Sequence, residues 1–147
     1  MASKNLKYEF LPHTADVKFK AYGKSLEKAF ENAAYALTEV MIKPSKVKAA
    51  KKKRISVKSE DVKALLYDFL EQFLILADSK GFVLNKVDKI EIKCDKKTGK
   101  YSLDAEVIGD TNIESYEIAG HIKAVTYEDM IVAKKGNIYT LQVILDI

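Results

Sequence analysis

The sequence contains little of the chemistry on which most catalytic and metal-binding motifs depend. Its 147 residues include one cysteine, two histidines, no tryptophan, two prolines and six glycines. A single cysteine, Cys94, excludes an intrachain disulfide, and together with two histidines it cannot complete a structural zinc site. The scattered glycines form neither a phosphate-binding loop nor a nucleophile elbow. Zinc-binding domains, loop-based nucleotide binding and serine-type catalytic triads are therefore excluded.

Long apolar runs are also missing. No stretch approaches the roughly 20 apolar residues of a membrane-spanning helix, and the first residues lack the apolar segment of a signal peptide. Hydrophobic residues make up 48% of the chain and charged residues 31%, which is typical of a soluble folded protein. We therefore expect one domain over residues 1–147, located in the cytoplasm and without a membrane partner.

Two stretches have apolar residues at helical spacing. The first begins after Ser25, a predicted N-cap, and ends near Ile42. The second begins after Ser59, also a predicted N-cap, and ends at Gly81, where a left-handed C-cap is expected. Both patterns predict amphipathic helices.

The rest of the chain is predicted to form strands and their turns. Cys94 ends one strand-like run and is expected to be a small packed residue, while His121 is expected to open a strand. The predicted strands and strand segments cover residues 8–13, 16–22, 55–57, 82–84, 90–94, 101–107, 121–133 and 138–147. The order ββαβαβββββ indicates an α+β fold, in which a mainly antiparallel sheet packs with two amphipathic helices.

The densest charge run is the lysine-rich stretch from Lys46 to Arg54. We interpret it as a solvated link between the first helix and the next strand. The alternative is contact with nucleic acid through Lys51, Lys52 and Lys53, because lysines attract phosphates. No aromatic residue lies within the run, so it lacks the stacking surface of a single-strand binder.

Acidic residues stand near both ends of the chain. Asp16 follows His13, Thr14 and Ala15, and Asp146 precedes the last residue, Ile147. If Asp16 lies beside the last strand, two side-chain carboxylates and the α-carboxylate of Ile147 converge, and such a set of oxygens suits a hard cation. The alternative is that Asp16 caps a turn and Asp146 only solubilises the chain end.

His13 also has two interpretations. It is either a ligand or orienting group of that acidic site, or a side chain that satisfies backbone groups of the turn.

Five segments in order resemble the archease family, and the resemblance spans nearly the whole chain. The segments cover residues 13–17, 23–30, 65–70, 123–127 and 143–147, and their sequences are HTADV, GKSLEKAF, LLYDFL, KAVTY and VILDI. One departure is Glu128, where the family often has histidine after the tyrosine, so a metal or proton role at that position is not implied.

The resemblance implies an accessory protein instead of a catalyst. Archeases activate the RtcB-type tRNA-splicing ligase by promoting guanylylation of the ligase and its multiple turnover. The family's divalent metal site, usually described as calcium, carries over to Asp16, Asp146 and Ile147, with Mg²⁺ or Mn²⁺ as other candidates. Lys123 and Thr126 are expected to shape the contact with the ligase.

Other functions stay open at this point. The family has also been linked to a tRNA methyltransferase as a chaperone-like modulator. Two carboxylates and a metal could activate water in a stand-alone hydrolase or nuclease, and the lysine-rich stretch could bind tRNA weakly or indirectly.

Overall fold

The computed structural model describes residues 6–147, which form eight strands and two α-helices. The strands are β1 (Tyr8–Leu11), β2 (Val17–Gly23), β3 (Lys51–Ser59), β4 (Val83–Cys94), β5 (Tyr101–Asp110), β6 (Ala124–Val125), β7 (Ile131–Lys135) and β8 (Ile138–Asp146). The helices are α1 (Leu26–Met41) and α2 (Val62–Lys80). The predicted α+β class and the predicted order of elements are confirmed.

The strands form two antiparallel sheets instead of one. The larger sheet has the order β1-β2-β8-β6, and β7 pairs with β8 beside β6. The smaller sheet has the order β3-β5-β4. Strand β8 is therefore central in the larger sheet, with β2 along one edge and β6 and β7 along the other.

The pairing of β2 with β8 sets one wall of the core. Phe19 lies opposite Val143 and Ala21 lies opposite Leu141, and all four side chains are buried. Helix α1 packs on this wall through alanines at its buried face. Phe19 and Ala21, two residues apart along β2, therefore face the helix.

Two of the three predicted helix caps, Ser25 and Gly81, are confirmed. The Ser25 side chain accepts a hydrogen bond from the Lys28 amide at 3.0 Å, which caps α1. Helix α1 ends at Met41, next to the predicted Ile42, and Gly81 ends α2 with a left-handed φ of 62°.

The predicted start of α2 is wrong by two residues. Its N-cap is Asp61, whose carboxylate accepts from the Ala64 amide at 2.8 Å. Ser59 instead ends β3, and its hydroxyl donates to Asp68 at 2.6 Å. Serine and aspartate are both good N-caps. Because β3 extends through Ser59, the helix begins after Asp61.

Three strand predictions are also wrong. Residues 51–54 are not part of a link, since they pair with residues 106–109 of β5. Cys94 is exposed because it lies at the open end of β4, beside the hairpin turn. His121 lies outside any strand, and the predicted strand 121–133 is broken because residues 126–130 leave the ladder, with Asp129 at a φ of 50°.

Within the described residues, neither helix combines the length and the apolar content that a membrane span needs.

Gly23 joins β2 to α1 in a space that no side chain fits. A Cβ atom at this position would lie 2.3 Å from the Ala29 backbone nitrogen. We therefore expect Gly23→Ala to lower the free energy of unfolding by about 3 kcal/mol, measured by urea denaturation. Gly136→Ala is the control: its φ is 60° but nothing lies within 4 Å of the added atom, so a loss of only about 1 kcal/mol is expected. Equal losses in the two variants would contradict this assignment.

Candidate functional site at the end of the central strand

Asp16 is held at the end of the turn between β1 and β2. Ala15 adopts a left-handed φ of 68°, which turns the chain immediately before β2 begins at Val17. The Asp16 carboxylate contacts the Nδ1 atom of His13, and its side chain is 21% exposed. The side chains of His13 and Asp16 therefore lie together at the end of the turn, next to the start of β2.

The register of the central strand brings Asp16 to Asp146. Val17 lies opposite Leu145 in the antiparallel pair of β2 and β8. Asp16 directly precedes Val17 and Asp146 directly follows Leu145, so the two acids stand at the same end of the paired strands. The two acids are 130 positions apart in the sequence, so only strand pairing makes them neighbours.

The segment around β6 is hydrogen-bonded to the end of β8, on the side away from β2. Ala124 lies opposite Asp146, and the Lys123 amide donates to the Asp146 carbonyl at 2.7 Å. The Thr126 amide and hydroxyl both donate to the Ile144 carbonyl, at 3.2 and 2.8 Å. We call this group the acidic corner: His13, Asp16, Lys123, Thr126 and Asp146, followed by Ile147.

Strand pairing thus places the segments that carry Asp16, Lys123, Thr126 and Asp146 around the end of β8, and the site itself stays a prediction. Asp146 and Ile147 are exposed, as is the side chain of Lys123. Charged groups of both signs are therefore exposed near the end of β8.

The donor atoms of the acidic corner are chemically suited to a hard cation. They are carboxylate and backbone oxygens, the ligands that Ca²⁺ and Mg²⁺ prefer. Among residues 6–147, no three His, Cys, Asp or Glu side chains come together as a metal-binding group. The metal site formed by Asp16, Asp146 and Ile147 therefore stays a prediction.

The lysines proposed to contact nucleic acid lie in the other sheet. Lys51, Lys52 and Lys53 belong to β3 and alternate in direction, and Lys53 is half-buried opposite Val107. Three successive strand residues cannot form one basic surface, because neighbours point to opposite faces.

Acidic side chains also share the outer face of the smaller sheet. The Lys52 ammonium lies 3.6 Å from a Glu106 oxygen, and the Arg54 guanidinium lies 3.6 Å from an Asp104 oxygen. These carboxylates reduce the attraction of this face for phosphate. Direct RNA contact through Lys51, Lys52 and Lys53 remains a prediction.

His121 and Glu128 lie outside the acidic corner. His121 lines a cavity of about 370 Å³ beside Met41 and Leu74, formed with residues 113–122. Glu128 is exposed on the segment between β6 and β7.

One pair of aromatic residues has no counterpart in the sequence predictions. Tyr67 on α2 stacks on Tyr127, which follows β6. Both belong to segments that resemble the archease family, but no spacing rule joins residues that far apart. The two rings meet because α2 packs beside the end of the larger sheet.

Comparison with known proteins identifies relatives along the whole described chain. Residues 8–147 match the Archease protein family (MTH1598/TM1083). The chain is similar to protein archease of Methanosarcina barkeri, at 37% identity over 100% of both chains. It is also similar to protein archease of Thermococcus kodakarensis, at 39% identity over 87% of this chain and 89% of the relative.

Two solved structures share the fold. The solution structure of Methanobacterium thermoautotrophicum protein 1598 has a TM-score of 0.79 at 37% identity and covers 96% of this chain and 99% of its own. The crystal structure of an archease and possible chaperone from Thermotoga maritima has a TM-score of 0.58 at 21% identity, covering 100% and 98%. At that lower identity the likeness concerns the fold alone.

Thr126 offers a direct test of how the acidic corner is held. Thr126→Val keeps the shape of the side chain but loses the hydroxyl that donates to the Ile144 carbonyl. We expect the free energy of unfolding to fall by about 1 kcal/mol, measured by urea denaturation, and exchange of the Lys123 amide to become faster. Thr126→Ser keeps the donor and should stay close to wild type. Indistinguishable stability of all three proteins would contradict the bracing role of this hydroxyl.

Proposed function

The chain belongs to the archease family, and we propose that it is an accessory protein that activates an RtcB-type tRNA-splicing ligase. In this role it promotes guanylylation of the ligase and lets each ligase molecule turn over repeatedly. The observation that supports this proposal most is the pairing of β2 with β8, because it brings Asp16 and Asp146, from two of the segments that resemble the family, to the same end of the paired strands.

We propose that the acidic corner docks beside the metal- and nucleotide-dependent centre of the ligase. Asp16 and Asp146 supply negative charge, and Lys123 supplies an exposed positive charge on the segment that is hydrogen-bonded to Asp146. The backbone bonds from Lys123 and Thr126 hold the end of β8 in place. A rigid corner of mixed charge can favour one conformation of a partner, since it binds that conformation better than the others.

We further propose that Asp16, Asp146 and the terminal carboxylate of Ile147 hold a divalent cation, with Ca²⁺ ahead of Mg²⁺ and Mn²⁺. Two acids on paired strands repel each other unless a cation offsets their charge. The bound ion would neutralise the acids and present positive charge to anionic oxygens of the partner's centre. His13 would keep the Asp16 carboxylate in position for that ion, since it contacts one of its oxygens.

The protein is proposed to act without catalytic residues of its own. The imidazole at the corner contacts Asp16, and Cys94 lies at the far end of a hairpin in the other sheet. Because the proposed partner acts on tRNA, we place the protein in the cytoplasm.

Replacing the acids tests the proposal. We expect Asp16→Asn and Asp146→Asn each to lower the stimulation of ligase guanylylation and multiple turnover at least about tenfold. Calcium binding measured by calorimetry should weaken by about tenfold or more, because affinity depends on the number of charged ligands. Asp78→Asn, which neutralises an exposed acid on α2, is the matched control and should behave as wild type.

Two results would contradict the proposal. A folded Asp16→Asn, Asp146→Asn double variant with full stimulation would remove the acidic corner from the function. Metal-dependent cleavage of RNA by the purified protein alone would indicate a hydrolase instead of an accessory protein.

The role of Ile147 needs a separate experiment. Adding a short glycine–serine extension after Ile147 converts its α-carboxylate into an amide and removes one negative charge from the proposed ligand set. We expect calcium affinity to fall by about tenfold, measured by calorimetry. The same extension placed before Met1 is the control. Unchanged affinity would mean that Ile147 contributes only a carbonyl oxygen and that the site rests on Asp16 and Asp146.

A further inference from the structure

Tyr127, which follows β6, has an aromatic ring that is largely exposed at the surface. Its ring stacks on the ring of Tyr67 with centroids 4.5 Å apart and planes 7° from parallel. Tyr67 is half-buried against the core, whereas Tyr127 remains 53% exposed. Tyr67 therefore covers one side of the outer ring, and much of that ring faces solvent. An exposed aromatic residue held rigid by stacking is a common element of protein interaction surfaces.

Several carboxylates are close to this aromatic pair along the chain. Asp68 follows Tyr67 directly on α2, and Glu71 lies one helical turn after Tyr67. Burial and the negative charges of Asp68, Asp61 and Glu71 raise the pKa of the Tyr127 phenol. Glu128 and Asp129 follow Tyr127 directly and are exposed.

The negative charge of this surface is not cancelled within the molecule. Between residues 6 and 147, none of these five acids forms an ion pair. Lys63, one helical turn before Tyr67, offsets only part of the charge. The surface is acidic even though the chain as a whole carries a net charge of +4. A local field opposite in sign to the net charge selects for partners of the other sign.

From this geometry we propose that the Tyr67–Tyr127 pair and its surrounding acids form a docking surface for an arginine-bearing segment of a protein partner. A guanidinium is planar, so it stacks on the exposed ring while its N–H groups reach the carboxylates. Lysine matches the charge but not the shape. Nucleic acid is disfavoured here, because its phosphates would be repelled by Asp68, Glu71 and their neighbours.

The docking surface is separate from the acidic corner in its residues and in its chemistry. The corner is built from carboxylates proposed to hold a cation at the end of β8, whereas this surface pairs an aromatic face with acids of α2. The inference does not depend on which enzyme the protein activates. Calcium binding and arginine binding can therefore be measured and lost independently.

The test uses two fluorescent peptides of equal length, an arginine–glycine repeat and a lysine–glycine repeat, titrated with the full chain near physiological ionic strength. We expect the arginine peptide to bind more tightly than the lysine peptide. Tyr127→Ala should weaken arginine binding about fivefold, whereas Tyr127→Phe keeps the ring and should retain it. Asp68→Asn with Glu71→Gln should weaken binding of both peptides by a similar factor.

The matched control is Glu114→Gln with Glu117→Gln, which removes the same charge from an exposed segment elsewhere and should leave binding unchanged. Asn at position 68 still accepts the hydrogen bond from Ser59, so the acid variants test the surface even if Tyr127→Ala unfolds. Equal binding of the two peptides by every variant would overturn the proposal. Binding of a single-stranded RNA probe that is lost in Tyr127→Ala would overturn it in favour of a nucleic-acid surface.

Discussion

The pairing of β2 with β8 is the constraint on which the rest of the molecule depends. It runs over seven positions from Val17 opposite Leu145 to Gly23 opposite Tyr139. Because side chains alternate along a strand, a slip by one residue would turn Phe19 and its apolar neighbours away from α1. The same slip would separate Asp16 from Asp146. Burial of the core and assembly of the acidic corner therefore follow from one register.

Strand β8 also explains why the two proposed surfaces differ in character. Its end is shared by β2 on one side and by the β6 segment on the other, so the acidic corner is built mainly from strand ends and backbone hydrogen bonds. Where β6 leaves the ladder after Val125, the chain passes over α2 and places Tyr127 on Tyr67. One surface presents oxygens to a cation, and the other presents an aromatic face with acids to a guanidinium.

Local signals in the sequence predicted the elements that depend on near neighbours. Ser25 begins α1 because a cap bonds three residues away, and Gly81 ends α2 because glycine adopts the left-handed conformation easily. The errors arose where partners are distant. Three lysines and an arginine at 51–54 were predicted to form a link because their charge dominates the pattern, yet pairing with β5 makes them a strand. Pairing with β5 also extends β3 through Ser59, so α2 starts after Asp61 and not after Ser59.

The sequence by itself determined the class of the fold, the membership in a family and the identities of the acids at the corner. These follow from periodicity, composition and short motifs, which are properties of residues close in the chain. Tertiary structure alone decided that Val17, next to Asp16, pairs with Leu145, next to Asp146, that Cys94 is exposed and that Tyr67 meets Tyr127. Strand register and helix packing join residues more than 50 positions apart. Such contacts form only when burial of the shared core offsets the entropy of closing the long loops between them.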